Sequence, residues 1–304
     1  MSIYIGVDAG GTKTAVAVAN GDRIISRATG GPGAVRPGRA LQAASRITAA
    51  VRRALTDAGL LHGDVLVVGA AGVGRDPERT ELREFLRGER LAERVIVTGD
   101  LDIALEAAFG AKPGIVLVSG TGSVAVARAP NGALHRRGGY GWQMGDEGSS
   151  YAIGRAALLA VGQARDGRGA ETLLSELVLS KGPVREFDEL VRWSTTAELG
   201  EVAALAILVF EAADRNDAVA SAIVSEAASS LLGLVTSLVG HYGKTGPIPV
   251  ALAGGNLAAG RTLRAPVLAL LKKAPRLSAR DEALEPAEGA LALARQPTSS
   301  PSIS

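Results

Sequence analysis

A glycine-rich segment near the start of the sequence carries groups that suit a phosphate. The segment D-A-G-G-T-K-T, residues 8–14, joins two alternating apolar runs. Gly10 and Gly11 allow a ligand to approach the backbone closely. Their N–H groups, together with the Thr12 hydroxyl and the Lys13 ammonium, suit phosphate oxygens. The chemistry that these residue types indicate is therefore polyphosphate binding.

Asp8 ends the strand that leads into this segment, where its carboxylate suits Mg²⁺ bound through water. The pattern argues against a Rossmann or Walker phosphate loop, because those loops join a strand to a helix and this segment joins two strands. For this segment alone, the alternative is an ordinary hairpin whose glycines only satisfy backbone dihedral angles.

Two further glycine segments favour the phosphate interpretation. S-G-T-G-S at 119–123 also joins two apolar runs, and Gly254-Gly255-Asn256 follows the run at 249–253. Ligands of α/β proteins bind at the ends of strands, which is where all three segments lie. Two related hairpins that face each other can hold one polyphosphate from both sides.

The spacing of the first two segments indicates an internal repeat. An Asn-Gly turn follows each one: Asn20 comes 12 residues after Asp8, and Asn131 comes 12 residues after Ser119. Such dipeptides are strong hairpin signals. The offset of about 110 residues predicts two similar α/β domains, each of which opens with an antiparallel meander.

Periodicity places these segments among strands and helices. Strands are predicted at 3–7, 15–19, 23–27, 65–68, 95–97, 115–118, 124–127 and 249–253. Helices are predicted at 39–58, 77–86, 100–109, 150–163, 170–179, 184–193, 198–213, 218–240 and 286–295. The Pro/Ser/Thr-rich segment 297–304 is predicted to be disordered.

Composition excludes several classes of function. Lys and Arg number 33 against 31 Asp and Glu, so the net charge of +2 gives no strong field for nucleic acid or a membrane surface. The chain has no cysteine, which excludes disulfides, thiolate zinc sites and iron–sulfur clusters. No signal peptide is predicted, and the apolar stretches at 203–213 and 231–239 are shorter than the ~20 residues of a membrane span. We expect a cytoplasmic protein.

The segments D-A-G-G-T-K-T, S-G-T-G-S, M-G-D-E-G-S and A-G-G-N resemble the sugar kinase/actin/Hsp70 ATPase superfamily. Within it, the chain resembles the branch of N-acetylglucosamine kinase, glucosamine kinases, archaeal hexokinase and the BadF/BadG-type ATPases. The resemblance implies an α/β fold of two ribonuclease-H-like (actin-like ATPase) domains with a hinge and an interdomain cleft. It assigns 1–112 with 284–296 to the N-terminal domain and 113–283 to the C-terminal domain.

The resemblance also implies the cofactors, ATP and Mg²⁺, and the residues that bind them. Asp8 lies near the metal. The implied nucleotide contacts are Gly10, Gly11, Thr12, Lys13, Thr14, Gly120, Thr121, Gly122, Ser123, Gly254, Gly255 and Asn256.

Asp100 follows a predicted strand and opens a helix. The family has an aspartate in this place that acts as the base on the sugar hydroxyl. Asp is also a favoured N-cap residue, and both roles are compatible. Asp102 is the competing carboxylate, two residues into the helix.

The implied sugar site includes M-G-D-E-G-S at 144–149 and the aromatic–glycine stretch before it. One position departs from the family pattern: Ala34 stands where relatives carry an asparagine that contacts the sugar, which changes the discrimination between sugars. The implied substrate contacts are Gly33, Ala34, Asp100, Gly139, Tyr140, Asp146 and Glu147.

We therefore predict an ATP-dependent kinase of a hexose or amino sugar, with N-acetylglucosamine or glucosamine as the expected acceptor and a homodimer as the expected assembly. One alternative is a BadF/BadG-type ATPase, although those proteins hold a cluster through cysteines. Another is a repressor of the ROK type, which needs an N-terminal helix-turn-helix. A third is a non-enzymatic actin-like protein, in which the acidic loop at 145–148 has no role.

Overall fold

The structure is a computed structural model that describes residues 2–74, 76–244, 246–280 and 282–296. The chain divides into two compact units. The first runs to Lys112 and resumes at Leu284, and the second is Pro113–Ala283. Each unit has its own five-stranded sheet with helices packed on it. The α/β class predicted from the sequence is confirmed. The segment 297–304, predicted to be disordered, lies outside the described residues.

The strands of the described residues are, in chain order, β1 (Ile3–Ala9), β2 (Thr14–Asn20), β3 (Arg23–Gly30), β4 (Gly63–Ala70), β5 (Ala92–Gly99), β6 (Gly114–Ser119), β7 (Ser123–Arg128), β8 (Leu134–Gly138), β9 (Ile248–Ala253) and β10 (Leu277–Ala279). The helices are α1 (Ala40–Asp57), α2 (Asp76–Gly88), α3 (Asp100–Phe109), α4 (Ser150–Arg165), α5 (Leu173–Lys181), α6 (Phe187–Thr196), α7 (Leu199–Ala204), α8 (Ala206–Asp214), α9 (Ala218–Thr236), α10 (Arg264–Lys273) and α11 (Pro286–Arg295). Single 3₁₀ turns lie at Val239–His241 and Gly255–Leu257.

The two sheets have the same topology. Read from one edge, the first is β5-β4-β1-β2-β3 and the second is β10-β9-β6-β7-β8. In each sheet the three strands of the meander are antiparallel, and the other two run parallel to the first strand of the meander. The duplication inferred from the two glycine hairpins therefore extends to both complete sheets.

In the first unit, helices cover both faces of the sheet. Helices α1 and α2 bury Ile47 and Leu82 in one core cluster, whereas α3 and α11 pack on the opposite face. Gly6 in β1 makes this second packing possible, because a Cβ there would lie 2.7 Å from the Leu291 nitrogen. The closing helix α11 thus lies directly on the strand that leads into the first glycine hairpin.

In the second unit, most of the helical chain forms one large core cluster with β6, β7 and β9. The helix predicted at 198–213 is two helices, α7 and α8, which meet at Leu205. Two strands, β8 and β10, and the helix α10 are additional to the predicted elements. The sequence of β8, Leu-His-Arg-Arg-Gly, has no apolar alternation, because this short strand lies at the edge of its sheet.

The segment Ala218–His241 has the length and hydropathy of a membrane-spanning helix. The apolar stretch at 231–239 considered in the sequence covers only part of it. Core helices of globular proteins meet the same two criteria, so the observation is weak by itself. The buried side chains of α9 form a stripe that faces the core of the second unit: Ala220, Val224, Ala227, Ala228, Leu231 and Val235.

Two of the three histidines of the chain stack on each other in the second unit. The rings of His135 in β8 and His241 in the 3₁₀ turn after α9 have centroids 3.5 Å apart and planes tilted by 10°. The Arg137 guanidinium lies 3.2 Å from His241 Nε2. Burial, His135 and Arg137 together lower the pKa of His241 below its usual 6.5.

This stack predicts a contribution to stability that is lost in acid. Because the pKa of His241 is lower in the folded state than in the unfolded chain, the unfolded chain binds the proton more readily and stability is lost as the pH falls below about 6.5. Between pH 7.5 and pH 5.5 we expect the denaturant midpoint of the wild type to fall relative to that of His241→Asn, since all other groups titrate alike in the two proteins. His62→Asn, outside the stack, is the control. Identical pH profiles for the wild type and His241→Asn would contradict the assignment.

Candidate functional site

The first glycine hairpin connects β1 to β2. Ala9 and Thr14 are the last paired residues, and the Gly10 N–H donates to the Lys13 carbonyl at 3.0 Å. Gly11, Thr12 and Lys13 are exposed at the tip. In the described part of the chain, no hydrogen bond occupies the N–H of Gly11 or Thr12. The tip therefore offers backbone donors and an ammonium group to a ligand.

The segment after β3 is hydrogen-bonded to this hairpin. The Gly10 carbonyl accepts the N–H of Gly33 at 3.0 Å and that of Ala34 at 3.1 Å. The buried Thr14 hydroxyl donates to the Gly31 carbonyl at 2.8 Å. Gly33 and Ala34, predicted to border the sugar, thus lie directly against the residues predicted to bind phosphate. These bonds join residues 17 to 24 positions apart, and no local sequence signal indicates them.

Asp8 lies at the base of the same hairpin, at the end of β1. Burial, followed by the charges of Asp100 and Glu285, raises its pKa from 3.8 to about 6, and Lys13 opposes the shift. Asp8 and Asp100 are therefore close enough to repel each other, at the carboxyl ends of β1 and β5. A pair of this kind attracts a cation.

The sequence suggested Asp100 as a possible N-cap of α3. In the structure Asp100 is instead the first residue of the helix. Gly99 occupies the N-cap, and Asp102 Oδ2 accepts the Gly99 N–H at 3.0 Å and also bonds the Thr98 hydroxyl. The competing carboxylate Asp102 is thus used to cap the helix. Asp100 Oδ1 accepts the N–H of Leu101 at 3.1 Å, which leaves this carboxylate at the helix N-terminus.

The second glycine hairpin connects β6 to β7 and is tighter. Ser119 and Ser123 are the last pair, and the Gly120 N–H donates to the Gly122 carbonyl at 2.9 Å. The Ser123 hydroxyl donates to the Glu147 carbonyl at 2.7 Å. This bond matches that from Thr14 to Gly31, because in both units the first residue of the second strand ties the hairpin to the segment that follows the third strand.

Asp146, predicted as the main sugar ligand, lies against the second hairpin. Its Oδ1 accepts the Ser123 N–H at 3.2 Å, and a Cβ on Gly122 would lie 3.1 Å from both carboxylate oxygens. Burial raises the pKa of this carboxyl, and the Ser123 N–H opposes the shift. Asp146 also has a φ of 64°, a left-handed conformation that is uncommon outside glycine.

The stretch before Asp146 is exposed and aromatic. Tyr140 is 65% exposed, and Trp142 packs at 5.4 Å against the ring of Tyr151. Gly139 has a φ of 71°, and its carbonyl accepts a hydrogen bond from Arg136. The side chain of Glu147 is exposed beside them. An aromatic surface next to carboxylates suits a sugar, which has an apolar face and hydroxyl groups.

The third glycine segment follows β9. Gly254 has a φ of 88°, and its backbone lies so close to Ser119 that a Cβ would overlap the Ser119 carbonyl. Gly255 is exposed, and a Cβ there would meet nothing within 4 Å. Asn256 is buried and bonded to the second hairpin. The two predicted nucleotide segments of this unit are therefore in direct contact.

Two duplicated sheets, each with a glycine hairpin at the ends of its strands, define the two-domain fold of the actin-like ATPases and sugar kinases. Residues 5–294 match the model of the BadF/BadG/BcrA/BcrD ATPase family, and the chain belongs to that family. The family resemblance inferred from the four motifs is thereby confirmed.

Individual relatives are kinases. An N-acetylmuramic acid/N-acetylglucosamine kinase of Clostridium acetobutylicum is 28% identical over 244 residues, which are 79% of this chain and 80% of that protein. An N-acetyl-D-glucosamine kinase of Dictyostelium discoideum is 29% identical over 273 residues, 84% and 85% of the two chains. A solved structure from Chromobacterium violaceum, named provisionally an N-acetylglucosamine kinase, superposes with a TM-score of 0.82 at 29% identity, over 97% and 99% of the two chains.

The contact between the first hairpin and the segment after β3 leaves no room for a side chain at Gly33. A Cβ there would lie 2.5 Å from Thr14 Oγ1 and 2.9 Å from Ala9 Cβ. We expect Gly33→Ala to lower the unfolding free energy by about 1–3 kcal/mol. Gly31→Ala is the matched control, since a Cβ at Gly31 meets nothing within 4 Å. Equal denaturant midpoints for the two variants would show that the contact is not tight.

The raised pKa of Asp8 implies that the ionised carboxylate destabilises the fold. The folded-state pKa of about 6 lies above 3.8, so the cost is small at pH 4 and fully present at pH 8. We expect Asp8→Asn to raise the unfolding free energy on the order of 2 kcal/mol at pH 8 and little at pH 4. Urea titrations at both pH values measure this, with the exposed Asp57→Asn as the control. A destabilised Asp8→Asn at pH 8 would contradict the account.

Proposed function

We propose that this chain is an ATP-dependent sugar kinase that transfers the γ-phosphoryl group to a hydroxyl of N-acetylglucosamine, glucosamine or a closely related amino sugar. The observation that carries the proposal is the same in both units: the hairpin that suits phosphate is hydrogen-bonded to a segment that suits the sugar. The Gly10 carbonyl holds Gly33 and Ala34, and Ser123 holds Asp146 and Glu147. The kinase relatives support the same reaction.

In this proposal each hairpin binds phosphate oxygens of ATP. Gly10 to Thr14 supply backbone donors and the Lys13 ammonium, and Gly120 to Ser123 supply a second set of amides. The Ser123 N–H is bonded to Asp146, so the amides of Thr121 and Gly122 are the available donors of that turn. Gly254 and Gly255 border the adenosine.

Asp8 is the proposed contact to Mg²⁺, through water. Its carboxylate is mostly buried and lies beside a second carboxylate, Asp100, and a bound divalent cation relieves that repulsion. Magnesium supplies charge neutralisation on the phosphates. Within the described residues no cluster of three or more His, Cys, Asp or Glu side chains is arranged to hold a metal, which fits an ion held chiefly by phosphate and water.

Asp100 is the proposed base. The acceptor oxygen forms a bond to the γ-phosphorus, the bond from that phosphorus to the β–γ bridging oxygen breaks, and ADP leaves with the electron pair. The hydroxyl proton passes to the Asp100 carboxylate. Because the transition state is loose, the base need not be strong, and a carboxylate stabilised by the N-terminus of α3 suffices.

Asp146, Glu147, Gly139 and Tyr140 are the proposed contacts to the sugar in the second unit. Gly33 and Ala34 are the proposed contacts in the first. Ala34 offers no side-chain hydrogen bond, so we propose that the discrimination between acceptors rests more on the acidic loop than in relatives that carry asparagine at this position.

A second candidate is an ATPase without a sugar acceptor, which the family description favours. A cysteine-free chain supplies no thiolate for the cluster of the BadF/BadG-type activators. The actin-like alternative leaves the bonded acidic loop without a role. We further propose a homodimer in the cytoplasm, where ATP is available.

The kinase proposal is tested by ADP release in the presence of Mg²⁺ and one acceptor at a time: glucose, glucosamine, N-acetylglucosamine, N-acetylmannosamine or N-acetylmuramic acid. We expect at least one amino sugar to raise the rate well above the rate without acceptor, with a phosphosugar detected by mass spectrometry. ADP release that no acceptor changes would favour the ATPase candidate instead.

The role of Asp100 is tested by Asp100→Asn. The amide cannot accept the proton, so we expect turnover with the preferred acceptor to fall by about 10²–10⁴. ATP affinity, measured by calorimetry, should stay within a few-fold of the wild type. Asp57→Asn removes an exposed carboxylate of α1 and serves as the control for charge. Near-normal turnover of Asp100→Asn would refute the assignment.

A further inference from the structure

Buried polar side chains concentrate at one place in the second unit. In the described residues, five of the seven buried polar side chains lie around the second glycine hairpin. Those five are Ser119, Ser123, Asp146, Ser149 and Asn256. Such groups need hydrogen-bond partners, and a fully satisfied network holds its segments in one arrangement. The conformation of the second hairpin therefore depends on this network.

Asn256 is the centre of this network. Its Nδ2 donates to Ser119 Oγ at 3.1 Å and to the Gly120 carbonyl at 3.3 Å, and its Oδ1 accepts the Ser150 hydroxyl at 2.9 Å. An asparagine amide has two N–H donors, so both are used. The residue is only 7% exposed. The Asn256 side chain therefore offers no free N–H group to a nucleotide base.

The partners of Asn256 are themselves tied together. The Gly120 carbonyl also accepts the Ser150 N–H at 2.8 Å, and the Ser119 hydroxyl donates to the Gly148 carbonyl at 2.8 Å. One side chain thus joins three segments: the phosphate hairpin, the acidic loop that leads into α4, and the segment after β9. The Gly254 backbone lies close to Ser119, which brings Asn256, two residues later, next to the second hairpin.

We propose that the Asn256 side chain is a positioning residue for phosphoryl transfer, which acts on the nucleotide through the second hairpin and does not read the base. The proposal rests on the proposed ATP site. Loss of the side chain removes its hydrogen bonds to Ser119 and Gly120, so the phosphates lose alignment while the environment of the base is retained. Since alignment dominates this chemistry, turnover is more sensitive than affinity.

The experiment compares Asn256→Ala and Ser150→Ala with the wild type, using ATP and GTP. Ser229→Ala, which removes an exposed hydroxyl of α9, is the matched control. Dissociation constants come from calorimetry without acceptor, and kcat and KM come from assays with the preferred acceptor. Thermal melts identify any variant that does not fold. Ser150→Ala removes a single bond and is the fallback if Asn256→Ala fails to fold.

We expect Asn256→Ala to lower kcat about 10- to 100-fold, Ser150→Ala to lower it several-fold, and the ratio of GTP to ATP dissociation constants to stay within two-fold in both. A ratio that changes ten-fold or more would mean that Asn256 reads the base, and wild-type kcat in a folded Asn256→Ala would mean that the network does not position the phosphates. Either result overturns the proposal. Because the dissociation constants need no acceptor, they remain informative if the kinase proposal itself fails.

Discussion

The candidate site depends on hydrogen bonds that fasten each glycine hairpin to the segment following its meander. In the first unit the Gly10 carbonyl accepts two amides, from Gly33 and Ala34. In the second, Ser123 is bonded through its amide to Asp146 and through its hydroxyl to Glu147. A hairpin tip alone is mobile, since few contacts hold it. These bonds restrain it, and they make the position of the proposed sugar segment depend on that of the proposed phosphate segment.

The two sheets share one topology, but their glycine hairpins differ in length, in charge and in the side chains around them. The first has four residues between its last paired residues and carries a lysine, whereas the second has three and carries no charge. The second is instead surrounded by a buried polar network that includes a carboxylate. The first hairpin therefore supplies an ammonium group and lies beside Asp8, the proposed contact to Mg²⁺, whereas the second supplies backbone amides next to buried polar side chains. A phosphoryl transfer needs both contributions.

Local patterns were sufficient to predict much of this. The alternating runs, the Asn-Gly turns and the glycine segments identified both hairpins and their repeat, because these signals depend on residues close in sequence. The roles of Asp102 and Asn256 were not predictable in the same way. Asp102 caps α3 because the N-cap is Gly99, and a helix that began one residue later would not use Asp102 in this way. Asn256 is bonded to Ser119, which lies 137 positions away in the sequence. The break at Leu205 between α7 and α8 and the edge strand β8 likewise follow from packing rather than from periodicity.

The central proposal is that both glycine hairpins bind nucleotide phosphates. A crystal structure of the chain with Mg²⁺ and a non-hydrolysable ATP analogue measures this directly. We expect phosphate oxygens within hydrogen-bonding distance of the amides of Gly11 and Thr12 in the first unit and of Thr121 and Gly122 in the second, with Asp8 near the metal. A triphosphate bound to one hairpin only, or to neither, would contradict it.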